Sequence, residues 1–112
     1  MKILIAEDDF ISALLYNKIL KEHTISIVLD GIDFIQEHSS EYDLFIIDLY
    51  LRRQSSYEII DYLVSVGNTK PILVISAIDF DKRLIKERDT EISVMRKPIL
   101  SKKLLEFINL IK

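Results

Sequence analysis

The chain has no cysteine and no tryptophan, and only two glycines and two prolines in 112 residues. Each absence removes a class of explanation. Without cysteine there is no disulfide framework, no thiolate nucleophile and no zinc site of the cysteine type. Two glycines leave little room for long irregular connections, so loops should be short. The 15 basic and 18 acidic residues give a net charge of -3 and are spread along the chain. No basic stripe forms, which argues against direct contact with DNA or RNA. No apolar run approaches the roughly 18 residues of a membrane span, and the first apolar run begins at Lys2, leaving no space for a signal peptide. These features predict a soluble, cytoplasmic protein with no membrane partner. The length and the 49% apolar, 29% charged composition predict one globular domain over residues 1–112.

What is present is a set of short apolar runs, each followed by a different reactive residue type. Lys2 to Ala6 precedes Glu7-Asp8-Asp9, Asp43 to Ile47 precedes Asp48, Pro71 to Ile75 precedes Ser76, and Glu91 to Met95 shortly precedes Lys97-Pro98. Apolar runs of this length without alternation read as strands buried on both faces, as in a parallel sheet covered by helices. Between them, Phe10, Ile11, Leu14, Leu15 and Ile19 recur at helical spacing and predict an amphipathic first helix with Asp9 as its N-cap. Ile25 to Leu29 reads as a second strand, and Asp30-Gly31 as a turn into a short helix with Phe34 and Ile35 inward. Ile59, Ile60, Leu63 and Val64 mark a third helix closed by Gly67-Asn68. A charged helix is expected around Asp81 to Arg88. Ser101 is expected to cap a last helix with Leu104, Leu105, Ile108 and Ile111 inward. The alternation of strand and helix predicts an α/β doubly wound, five-stranded parallel sheet in the order 2-1-3-4-5, with helices on both faces.

In such sheets ligands bind beyond the carboxyl ends of the strands, where the strand order reverses. Glu7, Asp8 and Asp48 would meet there. Three like charges repel, and a divalent cation is the natural remedy. Carboxylate and water oxygens suit magnesium, which usually takes one or two protein carboxylates and completes its shell with phosphate oxygens. Lys97 adds a mobile positive charge and Ser76 a hydroxyl. A carboxylate can act as nucleophile in phosphoryl transfer, where catalysis is largely positioning and charge neutralisation.

These residues resemble, over the full chain, the receiver domain of two-component response regulators, which has the flavodoxin-like form of this architecture. The matching pieces are Ile3 to Asp9, Asp30-Gly31, Tyr42 to Asp48, Pro71 to Ala77 and Arg96-Lys97-Pro98. The resemblance implies that Asp48 is a phosphoacceptor charged by a sensor histidine kinase or a histidine phosphotransfer protein. It implies that Glu7, Asp8, Asp48 and the backbone carbonyl of Tyr50 hold Mg2+. Ser76, Ala77 and Lys97 would contact the phosphoryl group, with Ser76 and Lys97 reporting it. Because the chain ends after the last helix, output is expected to be the binding of a protein partner. The expected surface is the charged helix, the last strand and the final helix, which is also a possible dimer face.

Several positions depart from the family pattern. Arg52 and Ser56 stand where a proline and a glycine are usual, four and eight residues after the acceptor. Tyr50 and Ile78 occupy the positions flanking the path of hydrolytic water; both are bulky and neither activates water well, which predicts a long-lived phosphoaspartate. Ser93, Val94 and Met95 fill a region that commonly carries a switching aromatic. Arg52-Arg53 is read as solvated loop charge. A phosphorylation-independent, receiver-like adaptor is the alternative these departures motivate. A small phosphatase resembling the haloacid dehalogenases is a weaker one, since its nucleophile would end the first strand rather than the third.

Overall fold

The computed structural model describes residues 1–49, 51, 56–77 and 92–111. The elements are β1 (Lys2–Ala6), α1 (Phe10–Ile19), β2 (Thr24–Val28), α2 (Gly31–Glu37), β3 (Leu44–Asp48), α3 (Ser56–Ser65), β4 (Ile72–Ser76), β5 (Ile92–Arg96) and α4 (Ser101–Ile111). All strand pairings are parallel and the order is β2-β1-β3-β4-β5, as expected from the sequence. The charged helix expected over 81–88 lies outside the described residues. So do Tyr50, Arg52, Arg53, Ile78 and Glu91.

The central strands are buried along their length because each contributes alternate side chains to two cores. On one side Leu4, Ala6, Phe45, Ile47, Ile72 and Val74 pack with Phe34 of α2 and with Ile59, Ile60 and Leu63 of α3. On the other side Ile3, Ile5, Leu44, Ile46, Leu73 and Ile75 pack with Tyr16 and Leu20 from α1 and its C-cap, and with Leu104 and Ile108 of α4. Burying each of these large side chains is worth about 1.5–3 kcal/mol before chain entropy is counted. β5 departs from the expectation of burial on both faces. It is an edge strand, half-exposed along its length, with Val94 48% exposed.

Local signals set most helix ends. Asp9 caps α1, its carboxylate accepting from the backbone N–H of Ser12 at 3.0 Å and from the Ser12 hydroxyl at 2.8 Å. Asp30 caps α2 in the same way through the N–H of Asp33. Gly67, at φ +77°, ends α3; its N–H bonds the Val64 carbonyl while that of Asn68 bonds Leu63, a paired closure that the left-handed glycine makes possible. Ser101 is the first residue of α4 rather than the residue before it.

Two helices face differently from their apolar spacing. In α1 the inward line is Ser12, Tyr16 and Leu20, whereas Phe10, Ile11, Leu14 and Leu15 point to solvent. Positions 12, 16 and 20 are four residues apart and share one side of the helix, and the apolar residues stand on the opposite side. In α4 Leu105 is exposed and Phe107 is partly buried in its place beside Leu104 and Ile108. Among the described residues no helix is long and apolar enough to cross a membrane.

Candidate functional site

Parallel strands that start together end together, so β1, β3 and β4 deliver their following residues to one edge. In the β1–β3 register Ala6 pairs Ile47, which sets Glu7 beside Asp48. Asp48 in turn pairs Ile75, which sets Ser76 just beyond it, and Ser76 pairs Arg96. The backbone N–H of Lys97 bonds the Ser76 carbonyl at 2.8 Å, carrying the ladder one step further and fixing Lys97 at the rim. Side-chain alternation puts Glu7 on the face of Ile3 and Ile5, and Asp48 on that of Leu44 and Ile46. Both therefore rise on the α1 side of the sheet.

Glu7, Asp8 and Asp48 each offer a carboxylate oxygen within 4.8 Å of the others. Glu7 and Asp48 are buried and Asp8 is half-buried. The Lys97 ammonium lies 3.4 Å from Asp48 Oδ2 and 3.8 Å from Glu7 Oε2. Glu7 Oε1 accepts from the backbone N–H of Asp9 at 3.1 Å. Glu7 Oε2 and the Tyr16 hydroxyl are the buried side-chain atoms, among the described residues, without a hydrogen-bond partner. Burial first, and then the Asp48 charge, push the pKa of Glu7 up to about 7. Burial, followed by the charges of Glu7 and Asp48, holds the Tyr16 phenol well above its ordinary range.

This donor set suits a hard divalent cation. Its atoms are all carboxylate oxygens and, among the described residues, one buried oxygen has no hydrogen-bond partner and three carboxylates face one lysine. The residues present therefore fit Mg2+. The oxygen-only set is wrong for a softer metal that prefers nitrogen or sulfur ligands.

Of the residues singled out in the sequence, Glu7, Asp8, Asp48 and Lys97 come together in the structure. Ser76 is fully buried at the adjoining strand end and Ala77 is exposed beside it. Tyr50 lies outside the described residues. Two further residues had not been assigned a role in the site. Tyr16 places a phenol within electrostatic reach of the acidic group; its four-residue spacing from Ser12 and Leu20 is the signal that marks it as inward. Ser56 is fully buried at the start of α3, and its hydroxyl bonds the backbone carbonyls of Asp48 and of Leu49, the latter at 2.7 Å. The serine that replaces the usual glycine is thus tied to the backbone of Asp48 itself.

No protein-family model matches the sequence, and no curated protein does. Solved structures do match. A signal receiver domain from Vibrio parahaemolyticus is 25% identical with a TM-score of 0.81, over 98% of this chain and 88% of that one. This chain has the fold of a response-regulator receiver domain. A response regulator receiver domain from Methylobacillus flagellatus aligns over 100% of this chain and 98% of its own at 22% identity and a TM-score of 0.81. A two-component response regulator from Clostridium difficile aligns over 99% and 94% at 21% identity and a TM-score of 0.85. The receiver fold puts the acidic cluster at the sheet's switch point, between β1 and β3.

Proposed function

We propose that this receiver is the phosphoacceptor of a two-component phosphorelay, taking a phosphoryl group from a phosphohistidine onto Asp48 and changing its affinity for a protein partner as a result. The supporting observation is the convergence of Asp48 with Glu7 and Asp8 within 4.8 Å and with the Lys97 ammonium at 3.4 Å, at the carboxyl edge of a receiver-fold sheet.

In the proposed step an Asp48 carboxylate oxygen attacks the donor phosphorus. The new O–P bond forms as the P–N bond breaks, and the imidazole leaves with the electron pair. Asp48 is held for this by β3 and by the Ser56 hydroxyl on its carbonyl. Glu7, Asp8, Asp48 and the backbone carbonyl of Tyr50 would hold Mg2+, which when bound supplies the charge neutralisation that phosphoryl transfer requires. Lys97 pairs with Asp48 at rest and with a phosphoryl oxygen afterwards. The Ser76 hydroxyl and the Ala77 backbone donate to the same group. Because Ser76 ends β4 and Lys97 follows β5, their movement transmits the new charge to the surface of β5 and α4, where a downstream protein binds. The donor is a sensor histidine kinase or a phosphotransfer protein, and the exchange takes place in the cytoplasm.

Intact mass after incubation with a small acyl phosphate, with and without Mg2+, tests the reading. Wild type gains one phosphoryl group only with Mg2+, and Asp48→Asn gains none. Wild type that stays unmodified under both conditions overturns it.

A further inference from the structure

Tyr16 is fully buried, and its hydroxyl is one of the two buried side-chain atoms, among the described residues, that lack a hydrogen-bond partner. Phenylalanine would fill nearly the same space without leaving a hydroxyl unpaired out of water, so the phenol weakens the metal-free fold and calls for another reason to be there. The second unpartnered atom is Glu7 Oε2. One atom is a donor and the other an acceptor. Both stand on the α1 side of the sheet, since Tyr16 packs in the core of Ile3, Ile5, Leu44 and Ile46, and Glu7 continues the face of Ile3 and Ile5.

The course of α1 aims the phenol at the carboxylate. The helix starts at Phe10, directly after the acidic residues at the carboxyl edge, and returns the chain to Thr24, which pairs Lys2 at the opposite edge. Its N-terminus therefore lies at the site. Side chains on a helix lean toward its N-terminus, so the inward Tyr16 leans toward Glu7. The electrostatics agree: burial holds the phenol above its ordinary range, and the charge of Glu7 adds to this more than that of Asp48 does. Glu7 Oε1 is already fixed by the backbone N–H of Asp9, whereas Oε2 has only the Lys97 ammonium at 3.8 Å, beyond hydrogen-bond reach.

We propose that Tyr16 is a positioning residue for the cation site, its hydroxyl donating to Glu7 Oε2 in the Mg2+-loaded protein and holding that carboxylate in its ligating orientation. The inference rests on the Mg2+ reading given under the proposed function. Each Glu7 oxygen then has its own donor, one from the backbone of Asp9 and one from α1. Outer-shell hydrogen bonds of this kind are typically worth 10–100-fold in metal affinity.

Titration of wild type and Tyr16→Phe with Mg2+ at pH 8 tests the proposal. The amide shifts of residues 7–9 give Kd, and near-UV tyrosine difference absorption reports whether a phenol gains an acceptor. Tyr16→Phe should bind Mg2+ about tenfold more weakly, with no loss of stability to urea in EDTA. Wild type should show a shift of tyrosine absorption to longer wavelength on adding Mg2+, and the variant should not. Equal Kd values overturn the proposal and leave the cation site standing. Wild type that binds Mg2+ without a tyrosine shift overturns it with no variant needed, and an equal shift in both proteins assigns the signal to another tyrosine and overturns it too. Wild type that binds no Mg2+ overturns the cation reading itself, and this inference with it.

Discussion

Replacing Glu7 by Gln should abolish the pH dependence that this residue imposes on metal-free stability. Glu7 titrates at an ordinary value of 4.5 when unfolded and at about 7 in the buried site. The folded state therefore holds the proton more tightly than the unfolded state. Stability from this group is complete below pH 4.5 and is lost as pH rises through about 7, beyond which its contribution is level. The gap corresponds to a ceiling of about 3 kcal/mol. The attraction of Lys97, 3.8 Å away, is already contained in that gap; water reaching the site through the partly exposed Lys97 and Asp8 lowers the expected loss to about 1–2 kcal/mol. Gln keeps the shape of the protonated carboxyl and cannot ionise, so the variant should be more stable than wild type at pH 8 in chelator. Near pH 5 the two should be nearly equal. Urea unfolding at half-unit steps of pH in EDTA measures both curves. Adding millimolar Mg2+ should restore wild type at pH 8, because ligand that binds only the folded state stabilises it by mass action, and should do less for the variant. Wild-type stability that rises between pH 5 and 7.5 relative to Glu7→Gln would refute the argument.

Tyr16→Phe removes a buried hydroxyl that has no partner among the described residues and should leave stability unchanged or raise it by up to about 1 kcal/mol, read from the urea midpoint. Ser56→Ala leaves two buried carbonyls without their hydroxyl and should cost about 1–2 kcal/mol in the same assay. The bulky Tyr50 and Ile78 predict a phosphoaspartate that outlasts minutes without a partner, followed by intact mass after removal of the donor; loss within seconds contradicts it.

The sheet was legible because its strands are short, continuous apolar runs flanked by polar turns, and that pattern has few other solutions. The convergence of Glu7, Asp8, Asp48 and Lys97 was legible for a related reason, since parallel strands bring their ends to one edge and a residue after each run can be placed without side-chain detail. Helix facing was harder to read. The stripe of Phe10, Ile11, Leu14 and Leu15 has the spacing of a core face, yet it stays outside while Ser12 and Tyr16 go in. Apolar periodicity finds a helix but does not distinguish a core from an exposed face. The bond of Ser56 was unreadable for another reason: a residue eight positions past Asp48 touches its carbonyl only because α3 packs back beside the end of β3.

The central claim is that Asp48, among the three converging carboxylates, carries the phosphoryl group. Borohydride reduces an aspartyl phosphate to homoserine, so treating the phosphorylated protein and mapping its peptides by mass locates the acceptor directly. The account predicts homoserine at position 48, formed only when Mg2+ was present during phosphorylation. Homoserine at position 8 or 9, a reduced glutamate at position 7, or no reduced residue at all would contradict it.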